Sequence, residues 1–388
     1  MSKERKSRRS CQAFLMGLFV LLLSTPKTIA QEERFQKFGV NLTPWAESQV
    51  RFWKKIFTEH PGSDLVIHDS VNLAHVYGVA KTPEGARKME IEVRAGLLEI
   101  AALGPEPIAP EKLTPSLMKL YATLDANEDP RAYRFAATPK RIRLQVGLRD
   151  RIESAFLLSK PYLRRMREIF KEEGVREELV LLPFVESAFD SEARSKVGAI
   201  GIWQFMPKTA MKELRVTPSI DERHDPLKST RAAARFLRKN HDALQSWALS
   251  VMAYHHGAGL VQKAIRKVGS RDPVEIIQTF KDPSFKFASR NYLFEFLAMC
   301  DVAESRGPLF RPDSDVGLPQ FITVSFQTKT KVKDILQRYR LNEEEIRILN
   351  PHFRDPIWKS ENPIPAHYPV RLAGITLEEF RRLEYPHP

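Results

Sequence analysis

Hydrophobic residues recur at intervals of three and four positions over most of this chain, which is the periodicity of amphipathic helices. A proline-rich stretch, GPEPIAPEKLTP (104–115), interrupts the pattern and predicts a surface connection. On this basis residues 31–140 are predicted to be a helical N-terminal region. The helical stretches before residue 176 are VRFWKKIF (50–57), MEIEVRAGLLEIAAL (89–103), RIRLQVGLRDRIESAFLLS (141–159) and YLRRMREIFKEEGV (162–175).

Short helices joined by glycine and proline turns are predicted from residue 176 to about 305. Asp225-Pro226 has the form of a helix start, because aspartate caps a helix and proline fits its first turn. A mainly α-helical domain is therefore predicted over 141–305. KSTRAAARFLRKNHDAL (228–244) places Ala233, Phe236 and Leu237 on one helical face. The strongly apolar segments are SWALSVMAY (246–254) and ASRNYLFEFLAMC (288–300).

The pattern changes after RGPLFRPDSDVGLPQ (306–320), which is predicted to be a linker. FITVSF (321–326) alternates between apolar and polar positions like a strand, and YPVRLAG (368–374) does so again. Two short helical patterns lie between them, at 331–340 and 342–350. Residues 321–388 are therefore predicted to form a small, separate α+β module with the order βααβ.

The first thirty residues have the form of an export signal. Five Lys and Arg residues precede an apolar run of eleven residues, Ala13 to Leu23, and Thr28-Ile29-Ala30 offers a small-residue cleavage site. The run is short for a helix that spans a bilayer. Cleavage after Ala30 and export to the periplasm or cell envelope is the favoured interpretation. An uncleaved N-terminal membrane anchor remains the alternative.

The composition, 388 residues with 43% hydrophobic and 28% charged positions, fits two or three globular domains. The net charge is +13, or +8 without residues 1–30, which carry six Lys and Arg and one Glu. A basic surface suits anionic polymers. Because an exported protein rarely meets nucleic acid, the cell wall or a membrane surface is the favoured partner, although the charge could serve solubility alone. Without residues 1–30 the single cysteine is Cys300, which is predicted to lie in the core.

Glu186 is one acid inside the apolar run LVLLPFVESAF (179–189). Apolar neighbours disfavour the charged form and raise the pKa of a carboxyl, so that it can donate a proton near neutrality. A capping role or a pair with arginine is the other interpretation of Glu186. Asp190 and Glu192 fall on a predicted solvated turn and are poor candidates for a second catalytic acid.

The stretch GAIGIWQFMP (198–207) follows with two glycines, an aromatic residue and an amide. The glycines allow a tight turn or a close approach by a ligand. Trp203 offers a flat face to a sugar ring, and Gln204 offers a donor and an acceptor to hydroxyl or acetamido groups. A turn followed by a core aromatic residue also explains Trp203 adequately, but it does not explain the amide.

Four motifs in order, Glu186-Ser187, GAIGIWQFMP, AYHHGAG (253–259) and SRNY (289–292), resemble the motif set of lytic transglycosylases of the membrane-bound lytic murein transglycosylase D type. DERHDPLKSTRAAARFL (221–237) also fits that type. The resemblance implies a goose-type lysozyme-like catalytic domain that needs no cofactor. It implies cleavage of the β-1,4 bond between N-acetylmuramic acid and N-acetylglucosamine in peptidoglycan glycan strands, leaving 1,6-anhydro ends.

The resemblance also implies roles for single residues. Glu186 would be the single acid and base, and the acetamido group of the substrate would replace a second carboxylate. Ser187 would assist by hydrogen bonding, and Gln204 would contact the sugar. Tyr254 and Tyr292 would line the cleft, one of them hydrogen-bonded to Glu186.

Two positions depart from the family pattern. His255 stands where the family has asparagine, and Ala288 where it has an acid, which puts substrate contacts and a supporting charge in question. His255 and His256 do not predict a metal site, because adjacent helical residues point in different directions and no histidine or acid follows at the fourth position. The departures keep a second hypothesis open, a peptidoglycan-binding or scaffold protein that has lost turnover. Hydrolysis of the lysozyme kind is the third.

The C-terminal module resembles a LysM fold, with Leu349-Asn350 after its second helix. It lacks the Gly-Asp-Thr turn of that family and has Thr328-Lys329-Thr330 instead. Wall binding and simple packing against the catalytic domain both stay open for this module.

Overall fold

The computed structural model describes residues 35–41, 43–103, 108–123, 131–138, 140–306 and 317–384. The signal segment predicted at 1–30 and most of the linker predicted at 306–320 lie outside the described residues. Helices predominate in the described part of the chain, which confirms the mainly α class. None of the helices within these ranges is long and apolar enough to cross a membrane.

A three-stranded antiparallel sheet has the strand Leu65–Asp69 in its middle, between Val76–Ala80 and Ile142–Val146. The prediction of a helical region over 31–140 is therefore wrong at the first two strands, and that of a helical stretch over 141–159 is wrong at the third. Each strand has only five residues, too few for their alternation to stand out from the helical patterns on either side. The elements in chain order are α1 (Pro44–Thr58), β1 (Leu65–Asp69), β2 (Val76–Ala80), α2 (Pro83–Ala102), α3 (Pro115–Thr123), α4 (Arg131–Ala136) and β3 (Ile142–Val146).

The helical unit that follows contains the four motifs described above, Glu186-Ser187, GAIGIWQFMP, AYHHGAG and SRNY. The predicted start of its long central helix is confirmed, because the Asp225 side chain accepts hydrogen bonds from the backbone N–H groups of Leu227 and Lys228. Cys300 is buried in the last helix, also as predicted. The helices are α5 (Arg149–Glu172), α6 (Leu182–Ser187), α7 (Pro207–Ala210), α8 (Pro226–Leu244), α9 (Trp247–His256), α10 (Ala258–Val268), α11 (Pro273–Thr279) and α12 (Phe287–Ser305), with 3₁₀ helices at Glu177–Leu181 and Glu222–His224.

Helix α1 belongs to the same hydrophobic core as this helical unit. The indole N–H of Trp53 donates to Asn291 Oδ1 at 3.1 Å, and the ring of Trp45 packs edge-on against Phe294. Both partners lie on α12. The N-terminal region thus supports the helix that carries the SRNY motif.

The C-terminal module has the predicted strand, helix, helix, strand order, with a further short helix before the second strand and another after it. Its two strands, Phe321–Val324 and Val370–Ala373, pair antiparallel. The resemblance to LysM stays a prediction. The elements are β4 (Phe321–Val324), α13 (Val332–Tyr339), α14 (Glu343–Leu349), α15 (Asp355–Trp358), β5 (Val370–Ala373) and α16 (Leu377–Glu384).

A buried polar network joins this module to the helical unit. Asp225 Oδ2 is 2.8 Å from Nδ1 of His352 and accepts a hydrogen bond from Arg371 at 2.8 Å. Beside it, Glu222 accepts from Lys228 at 2.6 Å and from the hydroxyl of Tyr368 at 2.6 Å. The module is therefore packed onto the N-terminal end of α8 through paired charges.

Candidate active site

Glu186 lies in the last turn of α6, a helix of six residues. The helix ends because Ala188 and Phe189 adopt left-handed backbone conformations, with φ of 52° and 61°. Each such non-glycine residue costs about 1–2 kcal/mol. Backbone strain of this kind concentrates at functional sites, where the surrounding packing holds it in place.

The hydroxyl of Ser187 fixes this short helix in place. It is buried and lies 3.2 Å from the carbonyl of Pro183 and 3.0 Å from that of Ile202, as a donor to either. The second carbonyl belongs to the GAIGIWQFMP loop. Ser187 therefore links the loop to the helix of Glu186 through backbone carbonyls. Its expected assistance to Glu186 or to the substrate by hydrogen bonding stays a prediction.

The carboxyl of Glu186 is half-buried, and the hydroxyl of Tyr292 donates to its Oε1 at 2.5 Å. Burial raises the pKa of Glu186 to about 7, although the hydrogen bond from Tyr292 acts in the opposite direction. The group is thus poised between its acidic and basic forms near neutral pH. The expected contact between one tyrosine and Glu186 is made by Tyr292.

The GAIGIWQFMP loop folds back on itself through a bridge between Ile200 and Phe205. Gly201 has a φ of 79°, and a Cβ there would lie 2.0 Å from the carbonyl oxygen of Arg223. Only glycine fits this position. The tight turn expected from the sequence is therefore required by a close backbone contact.

Trp203 does not offer a face to a sugar. It is fully buried, donates from Nε1 to the hydroxyl of Thr230 at 2.9 Å and stacks on Phe170 with ring centroids 5.7 Å apart. The interpretation of Trp203 as a sugar platform is wrong, and the core interpretation is correct. The ring anchors the loop in the hydrophobic core.

Gln204 is half-buried with a φ of 47°. Its Nε2 donates to the carbonyls of Gly201 at 2.9 Å and Ala193 at 3.3 Å. The amide thus stabilises the loop on which it lies. Its contact with a sugar stays a prediction.

Two residues of the AYHHGAG motif surround the Glu186–Tyr292 pair. The hydroxyl of Tyr254 donates to the carbonyl of Trp203 at 2.8 Å. The imidazole of His255 stacks on the ring of Tyr292, with centroids 4.6 Å apart and planes at 25°. Burial lowers the pKa of His255, which favours a neutral, flat ring at the family's asparagine position.

His256 lies perpendicular to His255 and packs against Phe285. Burial, followed by the charge of His255, lowers the pKa of His256 to about 4. Within the described ranges no group of three or more His, Cys, Asp or Glu residues could hold a metal ion.

Glu295 is the site residue that sequence reasoning missed. It lies one helical turn beyond Tyr292 on α12 and is half-buried. Burial, and then the nearby charge of Glu186, raise the pKa of Glu295 to about 8. The sequence analysis weighed only Asp190 and Glu192 as a second acid near Glu186 and did not single out Glu295. The signal was present, because residues three apart on a helix share one face.

The acids on the turn after Glu186 have no catalytic environment. Burial acts to raise the pKa of Glu192, but hydrogen bonds with His224 and Arg354 lower it to about 2. Asp190 is exposed and accepts from the backbone N–H of Glu192 at 2.8 Å. Both residues stabilise the turn through these contacts. This agrees with the sequence analysis, which found them poor candidates for a second catalytic acid.

Comparison with known proteins finds similarity to lytic transglycosylases in this part of the chain. Residues 167–277 match the model of the transglycosylase SLT domain. Membrane-bound lytic murein transglycosylase D of Escherichia coli (strain K12) is 34% identical over 151 residues, which are 38% of this chain and 33% of that protein. Membrane-bound lytic murein transglycosylase C of Glaesserella parasuis serovar 5 is 28% identical over 156 residues, 34% of this chain and 43% of that protein.

A solved structure of an inactive mutant of the lytic transglycosylase Slt from Pseudomonas aeruginosa aligns with 60% of this chain. The aligned part is 34% of the Slt chain, the sequence identity is 19% and the TM-score is 0.34. Residues 167–277 thus correspond to a transglycosylase SLT domain, and a stretch of 151 residues is homologous to transglycosylase D. The match with transglycosylase D spans about a third of that protein's length.

Proposed function

Because residues 167–277 match the transglycosylase SLT domain, we propose that the protein is a lytic transglycosylase of peptidoglycan. Glu186 is its acid and base. The bond it cleaves is the β-1,4 linkage from N-acetylmuramic acid to N-acetylglucosamine. The observation that carries this proposal is the half-buried carboxyl of Glu186, with a pKa of about 7 and a tyrosine donor on one oxygen.

In the first step Glu186 gives its proton to the glycosidic oxygen. The bond from that oxygen to C1 of the muramoyl residue breaks, and its electron pair stays with the leaving 4-hydroxyl of N-acetylglucosamine. The acetamido group of the muramoyl residue stabilises the positive charge at C1. Tyr292, whose phenol pKa is raised by burial and by the charge of Glu186, stays protonated and stabilises the new carboxylate.

In the second step the carboxylate of Glu186 takes the proton of the muramoyl 6-hydroxyl. The oxygen of that hydroxyl attacks C1 and forms the 1,6-anhydro ring. Glu186 recovers its proton and no water is consumed. One carboxyl thus acts first as acid and then as base, for which a pKa near the working pH is the most effective value.

Product analysis on purified sacculi tests this proposal. We expect soluble muropeptides with anhydro ends, each lighter by one water than the product of hydrolysis. Reducing ends would instead indicate lysozyme-like hydrolysis. Binding to sacculi without soluble product would indicate the scaffold hypothesis, which the replacement of the family's asparagine by the bulkier His255 favours.

Peptidoglycan as the substrate implies a place in the cell envelope. The predicted export signal supports this location, as does the basic charge of the chain, and the matched relatives C and D are named as membrane-bound proteins. The C-terminal module would then lie beside the same glycan strands. Its direct binding to the wall is part of the proposal and can be tested by the affinity of residues 1–320 and of the full chain for sacculi.

Activity should fall as the pH rises through about 7, because the first step needs Glu186 in its protonated form. Above that point kcat/KM should decrease about tenfold per pH unit, as expected for loss of one essential proton. The measurement is release of soluble product from labelled sacculi between pH 5 and 9. A rate that stays level up to pH 9 would contradict the role of Glu186 as the acid.

A further inference from the structure

The imidazole of His255 lies on the solvent side of Tyr292. Tyr292 is buried, with 3% of its surface exposed, whereas His255 is an exposed residue. The two rings stack with centroids 4.6 Å apart and planes at 25°. Because an exposed ring lies flat on a buried one, His255 covers that face of Tyr292 against solvent. Asparagine, which the family pattern has at this position, offers no ring that could stack in this way.

A series of ring contacts holds His255 in this position. The ring of His256 stands at right angles to that of His255, with centroids 4.5 Å apart. His256 in turn packs against Phe285 at 5.6 Å, and Phe285 packs edge-on against Phe280 at 5.4 Å. Both phenylalanines are buried. His255 is therefore supported by His256 on one side and by Tyr292 on the other.

The covered tyrosine holds the carboxyl of Glu186, because its hydroxyl donates to Oε1 at 2.5 Å. Burial is the cause that raises the pKa of Glu186 to about 7. Water that reached this hydrogen bond would solvate the ionised form of the carboxyl and lower its pKa. The pKa of Glu186 therefore depends on the side chains that exclude water from the pair.

The titratable groups around Glu186 come from two helices: Tyr292 and Glu295 on α12, and Tyr254 and His255 on α9. The GAIGIWQFMP loop, which meets α6 through Ser187, contains no titratable residue. On the 3₁₀ helix before α6, Glu177 is exposed and the carboxylate of Glu178 accepts from Arg176 at 2.7 Å.

We propose that His255 is a positioning residue that lies over Tyr292 and keeps water from the hydrogen bond between Tyr292 and Glu186. The importance of that bond for catalysis rests on the proposed function, but the cover itself does not. Partial burial lowers the pKa of His255, so its imidazole is uncharged near neutral pH. Removal of the ring therefore opens the site to water without taking a charge away from it.

The titration midpoint of Glu186 in variants of His255 tests this inference. Infrared difference spectra, recorded with and without Glu186→Gln in each variant, isolate the band of that carboxyl. In His255→Ala the midpoint should fall from about 7 by on the order of one pH unit, toward the ordinary value of 4.5. His255→Phe keeps a flat ring and should keep the midpoint. His255→Asn has no ring and should follow His255→Ala.

The pH dependence of activity gives a second measurement. Because the proposed reaction begins with protonated Glu186, the ratio of kcat/KM at pH 8 to that at pH 5 should fall about tenfold in His255→Ala. A merely structural role for His255 would lower the rate by the same factor at both pH values and leave the ratio unchanged.

His241→Ala is the matched control. It also removes an imidazole that stacks on an aromatic ring, that of Trp247, with centroids 4.0 Å apart and planes at 24°. It should leave the midpoint of Glu186 and the ratio of rates unchanged.

Two results would overturn the inference: an unchanged midpoint in His255→Ala, or a midpoint that falls in His255→Phe and is kept in His255→Asn. The second result would show that hydrogen bonding matters at this position and the ring does not. If His255→Ala fails to fold, the comparison of His255→Phe with His255→Asn decides alone. The spectra do not depend on turnover, so an inactive wild type would count against the proposed function and leave the cover to be judged by the titrations.

Discussion

Replacement of Glu186 by glutamine should lower the release of soluble product from sacculi by a factor of about 10²–10⁴, the usual contribution of a general acid and base. Glutamine keeps the size of the side chain and can still meet the hydroxyl of Tyr292, but it carries no transferable proton. The expected loss is in kcat, because the substrate contacts remain. The measurement is product release at saturating sacculi concentration, at pH 6.

Glu177→Gln is the matched control, since it makes the same chemical change at an exposed position a few residues earlier in the chain. It should keep the wild-type rate. Thermal unfolding of both variants should occur close to the wild-type temperature, which excludes loss of the fold as the cause. Full activity in Glu186→Gln would show that another group supplies the proton.

Replacement of Asp225 by alanine should have the largest effect on stability. The side chain is fully buried, caps α8 and accepts from His352 and Arg371 of the C-terminal module. Its removal leaves the half-buried guanidinium of Arg371 with the carbonyl of Leu349 but without its carboxylate partner, and breaking such a pair costs up to about 3–5 kcal/mol. Loss of the cap adds about 1 kcal/mol. Urea unfolding measures the change.

Asp272→Ala is the matched control for this prediction. Asp272 caps α11 through the backbone N–H groups of Val274 and Glu275, but it is only half-buried. Its other hydrogen bond is an exposed one, from the amide of Asn41 at 2.6 Å. Its removal should cost about 1 kcal/mol. Equal effects of the two substitutions would show that the contacts of Asp225 with the C-terminal module contribute nothing.

The contribution of Asp225 should depend on pH in a defined direction. Burial acts to raise the pKa of its carboxyl, but the charge of Arg371 and the hydrogen bond with His352 lower it well below the ordinary value of 3.8. A carboxyl with a lowered pKa in the folded state stabilises the fold above its unfolded pKa. The difference between wild type and Asp225→Ala should therefore be full above pH 3.8 and shrink as the pH falls below it.

Some features of the site followed from local sequence because their causes are local. Glu186 drew attention as a charge inside an apolar run, and Asp225-Pro226 predicted a helix start from capping chemistry that involves only the next few residues. The pairing of a tyrosine with Glu186 was expected from the family resemblance. Which tyrosine makes this contact could not be predicted, because Tyr292 is 106 positions away and reaches Glu186 through the packing of α12 against α6.

Other features depend on contacts between residues that are far apart in the sequence, which local sequence patterns do not predict. The burial of Trp203 follows from Phe170 and Thr230, which lie on α5 and α8, so the ring alone could equally have faced a ligand. In the sequence Glu295 is one polar position on an apolar helix. Its electrostatic interaction with Glu186 depends on the packing of α6 near α12. The contact of Arg371 with Asp225 joins positions 146 residues apart.

The protonation of Glu186 in the free protein tests the central claim most directly. Infrared spectra of wild type minus Glu186→Gln, recorded between pH 4 and 9, isolate the band of this one carboxyl. We predict a protonated carboxylic acid band that persists to pH 6 and gives way to carboxylate with a midpoint near pH 7. A carboxylate band already complete at pH 5 would contradict the account, because Glu186 would then have no proton to donate.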